Sequence, residues 1–125
     1  MGVELSDAEL DVMGAVWDAG GEAAAIDVCK AFESKAGASR SATYTLIYRC
    51  IKKGALERVD PGFVCRAKVS RDQMQDEQTN RLADKLFEGS LDNLFAALVD
   101  RKKVSVRALE RARAALDEYG TRFDD

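Results

Sequence analysis

The chain holds a single proline, and its setting limits the fold more than any other residue does. Pro61 lies in Asp60-Pro61-Gly62, a turn tripeptide, with the apolar-rich runs LERV before it and FVCRAKV after it. Such a turn between two strand-like runs predicts a β-hairpin. Three helical patterns precede it. Ser6-Asp7-Ala8-Glu9 reads as a capping box, and Leu10, Met13 with Val12 beside it, Val16 and Trp17 then repeat at helical spacing as far as Gly20-Gly21. This predicts a helix over 6–18 with Trp17 as its core anchor. A short extended piece is expected at 22–24. Ile26, Cys29 and Phe32, flanked by Val28, predict a second helix over 25–35, ended at Ala36-Gly37-Ala38.

The third helix starts at a Ser39 cap and stops at Gly54 after Lys52-Lys53, a cationic last turn followed by a glycine. Thr43, Leu46, Ile47, Cys50 and Ile51 share its apolar face. The opposite face carries Arg40, Ser41, Tyr44, Thr45, Tyr48, Arg49 and Lys52, an unusual wealth of cations and hydroxyls to leave in water. Three helices followed by a hairpin is the winged helix-turn-helix plan, whose third helix enters the major groove. The candidate DNA-binding residues are therefore Ser39, Arg40, Ser41, Tyr44, Thr45 and Tyr48 on the early turns. Arg49, Lys52 and Lys53 follow where phosphates would pass, and Arg58 and Arg66 lie on the hairpin strands. Arginine can donate two hydrogen bonds to guanine, hydroxyls donate or accept, and tyrosine packs on a thymine methyl or bonds a phosphate.

The charge distribution agrees with this plan. The net charge is only −3, but residues 1–35 carry two cations against eight acids, whereas residues 36–70 carry seven cations against two acids. The remaining residues are nearly balanced, as expected for solvated helix surface.

Beyond residue 70 the pattern becomes helical with few breaks. Ser70 to Gln73 resembles a cap, and Met74, Leu82, Leu86 and Phe87 lead to Gly89-Ser90. Leu91, Leu94, Phe95, Leu98 and Val99 mark a shorter helix. A polar loop, Asp100-Arg101-Lys102-Lys103, follows, and Ser105 opens a last helix with Leu109, Ala112 and Leu116. Two or three short helices cannot hide so much leucine and phenylalanine by themselves, which predicts a homodimer built on Leu82, Leu86, Leu91, Leu94, Phe95, Leu98, Leu109 and Leu116. The expected fold class is mainly α with a small β-wing. A winged helix-turn-helix DNA-binding domain over 1–69 is followed by a helical dimerisation domain over 70–125.

Composition narrows the function further. At 125 residues and 46% hydrophobic content the chain is a small folded protein. It has no apolar run long enough to span a bilayer and no signal pattern at its N-terminus, so it is expected to be cytoplasmic, with no membrane partner. Its three cysteines lack any CxxC pairing, which fits a reducing compartment. There is no histidine, no glycine-rich phosphate loop, no G-x-S-x-G elbow and no H-E-x-x-H, so neither an enzyme nor a cofactor or metal site is expected.

Three motifs in collinear order also carry a family resemblance: LSDAELDVMGAVW at Leu5 to Trp17, T-x-x-x-R-x-x-K-K-G-A-L from Thr45 to Leu56, and FEGSLDNLFAAL at Phe87 to Leu98. Together they resemble the penicillinase repressor family of BlaI and MecI, with the copper-responsive CopY repressors as relatives. The resemblance implies a homodimeric repressor on a palindromic operator, dimerised through its C-terminal helices and released when a membrane sensor protease triggers cleavage there. The Asn-Phe dipeptide cut in well-known members is replaced by Ala97-Leu98, which makes Ala97 and Leu98, or the polar loop after them, the expected cleavage position. The cysteine-rich metal tail of the copper repressors is absent. Two other readings stand beside this one. The winged helix could serve protein interaction, or Cys29, Cys50 and Cys65 could make the chain a DNA-binding redox sensor.

Overall fold

The computed structural model describes residues 3–119; residues 1, 2 and 120–125, which fall inside the two expected domains, lie outside the described residues. The elements run α1 (Asp7–Asp18), β1 (Glu22–Ala24), α2 (Ala25–Ala36), α3 (Arg40–Lys52), β2 (Leu56–Val59), β3 (Val64–Ala67), α4 (Arg71–Leu86), α5 (Leu91–Asp100) and α6 (Val106–Tyr119). They form two compact units, one ending at Gln78 and the other beginning at Thr79. The division falls inside α4, two turns beyond the start of the helix. No described helix is long and apolar enough to cross a membrane.

Local chemistry sets the ends of the first unit's helices. Ser6 Oγ accepts from the Glu9 amide at 3.2 Å and Glu9 Oε1 accepts from the Ser6 amide at 2.8 Å, the reciprocal pair of a capping box. Gly37, with φ 65°, closes α2 in the left-handed conformation that a side chain resists, and the chain turns at once into α3. Ser39 caps α3 by accepting from the Ala42 amide at 3.1 Å. At the head of α4, Ser70 Oγ accepts from the Gln73 amide and Gln73 Oε1 from the Ser70 amide, at 3.0 and 2.8 Å.

The three strands form one antiparallel sheet in the order β1-β3-β2. Glu22 pairs with Arg66 and Ala24 with Val64 on one side of β3, while Leu56 pairs with Ala67 and Val59 with Val64 on the other. One sheet face carries Leu56 and Cys65 into a core shared with Val12, Met13 and Val16 of α1, Val28 and Phe32 of α2, and Ile47 and Cys50 of α3. Met74 from the second turn of α4 joins the same core, so the head of that helix belongs to the first unit.

Trp17 differs from the expected core anchor. It is half-buried at the core's margin, with its indole N–H donating to the Val69 carbonyl at 3.0 Å and the Arg71 guanidinium 5.5 Å from its ring centroid. The indole has one polar atom that needs a partner, and a position at the margin supplies one. Val12, beside the expected stripe, is fully buried instead.

The second unit is built differently. Ser90 caps α5 through the Asn93 amide at 3.0 Å, and Ser105 caps α6 through the Ala108 amide at 3.1 Å. Among its described residues only Ala83 is buried. Leu82, Leu86, Leu91, Phe95, Leu98, Leu109 and Leu116 are all exposed large hydrophobic residues, and Leu94 is half-buried.

Candidate nucleic-acid interface

The exposed face of α3 follows from its spacing. Thr43, Ile47 and Cys50 are buried against the core, which turns Arg40, Ser41, Thr45, Tyr48, Arg49 and Lys52 outward along successive turns. Thr45 Oγ1 donates to the Ser41 carbonyl at 3.1 Å and remains exposed, free to accept a hydrogen bond. Among the described residues no carboxylate pairs with Arg40, Arg49 or Lys52. Arg49, Lys52 and Lys53 at the end of α3, with Ser6 and Glu9 at the start of α1, line an open cleft of about 610 Å³.

The other three cations of the expected site are engaged within the protein. Lys53 Nζ lies 2.6 Å from Oε1 of Glu9, whose side chain is only 2% exposed. Burial works to raise the Glu9 pKa, but the hydrogen bonds from Lys53 and Ser6 and the Lys53 charge outweigh it and hold the carboxyl below its ordinary value. Arg66 reaches Glu22 at 2.8 Å and Glu57 at 3.0 Å, its neighbours across the ladder on both sides. Arg58 binds Asp60, with Nε 3.1 Å from each carboxylate oxygen. Strand alternation puts Arg58 on the sheet face that carries Cys65 and Arg66 on the opposite face. Of the two hairpin arginines, Arg58 is therefore the one on the α3 side.

Tyr44 and Tyr48 are not isolated on the helix. Their ring centroids are 6.4 Å apart, and both meet the ring of Phe63, at 5.6 and 5.7 Å. Phe63 belongs to the hairpin turn, not to the strand run in which its sequence places it, because β3 begins at Val64. The Phe63 carbonyl accepts from the Ala25 amide at 2.9 Å, which draws the tip of the hairpin back against the start of α2. The wing is thus short and folded onto the body. Sequence reasoning missed Glu9 as the partner of Lys53, Glu22 and Glu57 as partners of Arg66, and Phe63 as a partner of the tyrosines. Only the capping box hinted at any of these, and only at the local half of what Glu9 does.

Cys29, Cys50 and Cys65 are free and buried. Burial, assisted by the nearby Glu9 charge, pushes the Cys50 thiol up to about 12, and burial pushes Cys65 up to about 11 and Cys29 upward as well. Thiolate is the reactive form, so these groups suit packing better than oxidation sensing. A thiol reagent at neutral pH should modify the native protein far more slowly than the denatured chain, which mass spectrometry would follow; equally fast labelling would return the thiols to consideration as a switch.

A three-helix unit with a short hairpin, presenting a basic and hydroxyl-rich third helix, is a winged helix-turn-helix. The profile of the penicillinase repressor matches residues 5–118, and the chain belongs to that family. Among solved structures it is similar to the Bacillus licheniformis BlaI monomeric form in complex with the blaP half-operator, with 30% identity and a TM-score of 0.50, covering 56% of this chain and 87% of that chain. No curated protein matches the sequence.

Proposed function

We propose that the protein is a homodimeric transcriptional repressor that binds a palindromic operator in double-stranded DNA through α3. The observation that carries this reading is the outward row of Arg40, Ser41, Thr45, Arg49 and Lys52, whose cations no acid in the described chain neutralises. The half-operator bound to the related BlaI supports the same partner. Arg40, Ser41 and Thr45 lie on the first turns, where a groove-inserted helix reaches base edges. Arg49 and Lys52 border the cleft at the start of α1, two cations placed where a backbone phosphate would pass. Arg58 adds a cation on the α3 side of the hairpin, whereas Arg66 and Lys53 serve mainly to hold the unit together.

Arg40→Ala should weaken a specific site by about 1–3 kcal/mol and relax preference at one base pair, while Lys52→Ala should weaken all sequences alike and lower the salt slope by about one. Operator selection from a random duplex library with the purified protein, followed by titrations at several salt concentrations, measures both. Equal losses on specific and random DNA for both variants would remove the base-reading role.

The second unit supplies the dimer in this reading. Its exposed leucines and Phe95 need cover, and two DNA-binding units related by a two-fold axis match a palindrome. Release by proteolysis then has a physical basis. Between α5 and α6 the chain passes through exposed Arg101, Lys102 and Lys103, with Lys102 at φ 57°, and this loop is easier to open than Ala97 and Leu98, which are held within α5. Following the intact mass of the protein in its host during derepression tests the idea. Only full-length chain, with operator occupancy lost, would reject proteolysis.

A further inference from the structure

Reading DNA with α3 does not by itself require a phenylalanine at residue 63, yet the backbone adopts an uncommon conformation to place one there. Phe63 has φ 48°, in the left-handed region that bulky L side chains rarely occupy, and such outliers persist where the surroundings hold them. Its carbonyl is anchored to the Ala25 amide at 2.9 Å, which holds the backbone of the turn in place. The ring meets Tyr44 edge-on at 5.6 Å and Tyr48 at 5.7 Å. The Arg58 guanidinium lies 3.9 Å from the Phe63 ring centroid and is itself held by Asp60. The hairpin thus contributes a stacked cation and ring that hold two tyrosines of α3 in one arrangement.

We infer that Phe63 is a specificity-determining positioning residue, which fixes the rings of Tyr44 and Tyr48 and so decides which groups of the operator their hydroxyls meet. This rests on the DNA-binding reading above. Free tyrosine rings would have to be ordered by the DNA at each encounter, and ordering one side chain costs enough to weaken binding by about 2- to 10-fold. Random duplex makes no demand for fixed ring positions, because its binding comes from phosphate contacts. The effect of losing Phe63 therefore falls on discrimination and spares charge-driven affinity.

The test uses the full chain, with an operator first selected by the wild type from a random duplex library. Phe63→Ala is expected to bind that operator about tenfold more weakly, with affinity for random duplex changed less than about twofold and the salt slope unchanged. Phe63→Leu retains apolar bulk without a ring and carries the same comparison if the alanine variant does not fold. Phe63→Tyr should restore operator affinity. In the free protein, the aromatic proton resonances of Tyr44 and Tyr48 should lose their ring-current dispersion in the alanine and leucine variants and keep it in the tyrosine variant. Equal losses on operator and random duplex, or dispersed ring signals in the leucine variant, would overturn the inference. A wild type that selects no sequence would overturn the DNA reading and the specificity role together. The ring signals would then still show separately whether Phe63 holds the tyrosines.

Discussion

Phe95→Asp should convert the proposed dimer into a monomer and reduce affinity for the proposed palindromic operator by about 10²- to 10⁴-fold, while leaving half-site affinity unchanged. Phe95 lies on α5, is 53% exposed in the single chain, and shares a groove with Leu109 and Leu116 of α6. A carboxylate at that position stays in water while the chain is alone and loses that water once a second copy covers the groove, whose lining offers one cation, Arg113, already beside the acid Asp117. That burial costs several kcal/mol, on the order of the stability of a modest dimer. The choice of residue matters, because Leu94 is half-buried within its own unit and a charge there would disturb the fold as well as the interface. Light scattering and operator titration read the two effects independently. A dimer unchanged by Phe95→Asp would remove α5 from the interface.

Lys53→Met should cost about 1–2 kcal/mol of stability in urea denaturation at neutral pH, whereas Lys52→Met should stay within about 0.5 kcal/mol. The two lysines are adjacent in sequence and both look like phosphate contacts. Only Lys53 neutralises the buried carboxylate of Glu9, and its own exposure to solvent keeps the expected loss at the low end for a charged hydrogen bond. The pH dependence follows from the same pair. The folded pKa of Glu9 lies below its unfolded value, so the stabilisation is fully present above the ordinary carboxylate range and is lost as pH falls through the lower folded value. The stability difference between wild type and Lys53→Met should therefore shrink in acid. A difference constant from neutral pH to pH 3 would mean that the ion pair is not its source.

What the sequence made legible was local. The ends of α1 and α3 follow from Ser6, Glu9 and Ser39, residues that act within one turn, and the hairpin follows from its turn tripeptide. Ser70 and Gln73 mark the start of α4 for the same reason. That the first two turns of α4 belong to the first unit depends on Met74 reaching a core that includes Val12, Met13 and Val16 of α1, more than 50 positions earlier in the chain. The candidate site was legible as a face and less so as a set of free charges. Counting cations near α3 treats Lys53, Arg58 and Arg66 like Arg40, although Glu9, Asp60, Glu22 and Glu57 hold them. Glu22 and Arg66 become neighbours only through strand register, which no sequence period announces. Phe63 was hidden for another reason: alternation of apolar residues continues through it, and only the turn's backbone shows that it has left the strand.

The second unit, nearly coreless among its described residues, also bears on how abundance controls repression. If α5 and α6 find cover only in another copy, folding of that unit and dimer formation draw on the same free energy, and the amount of stable repressor depends on its own concentration. Below the dissociation constant of the pair, each chain would leave its leucines and Phe95 open to the proteases that clear unfolded protein. Above it, the chains would protect one another. Repression would then rise with gene expression as a threshold and not in proportion, and an inducer would need to remove only enough repressor to cross that threshold before degradation cleared much of the remainder.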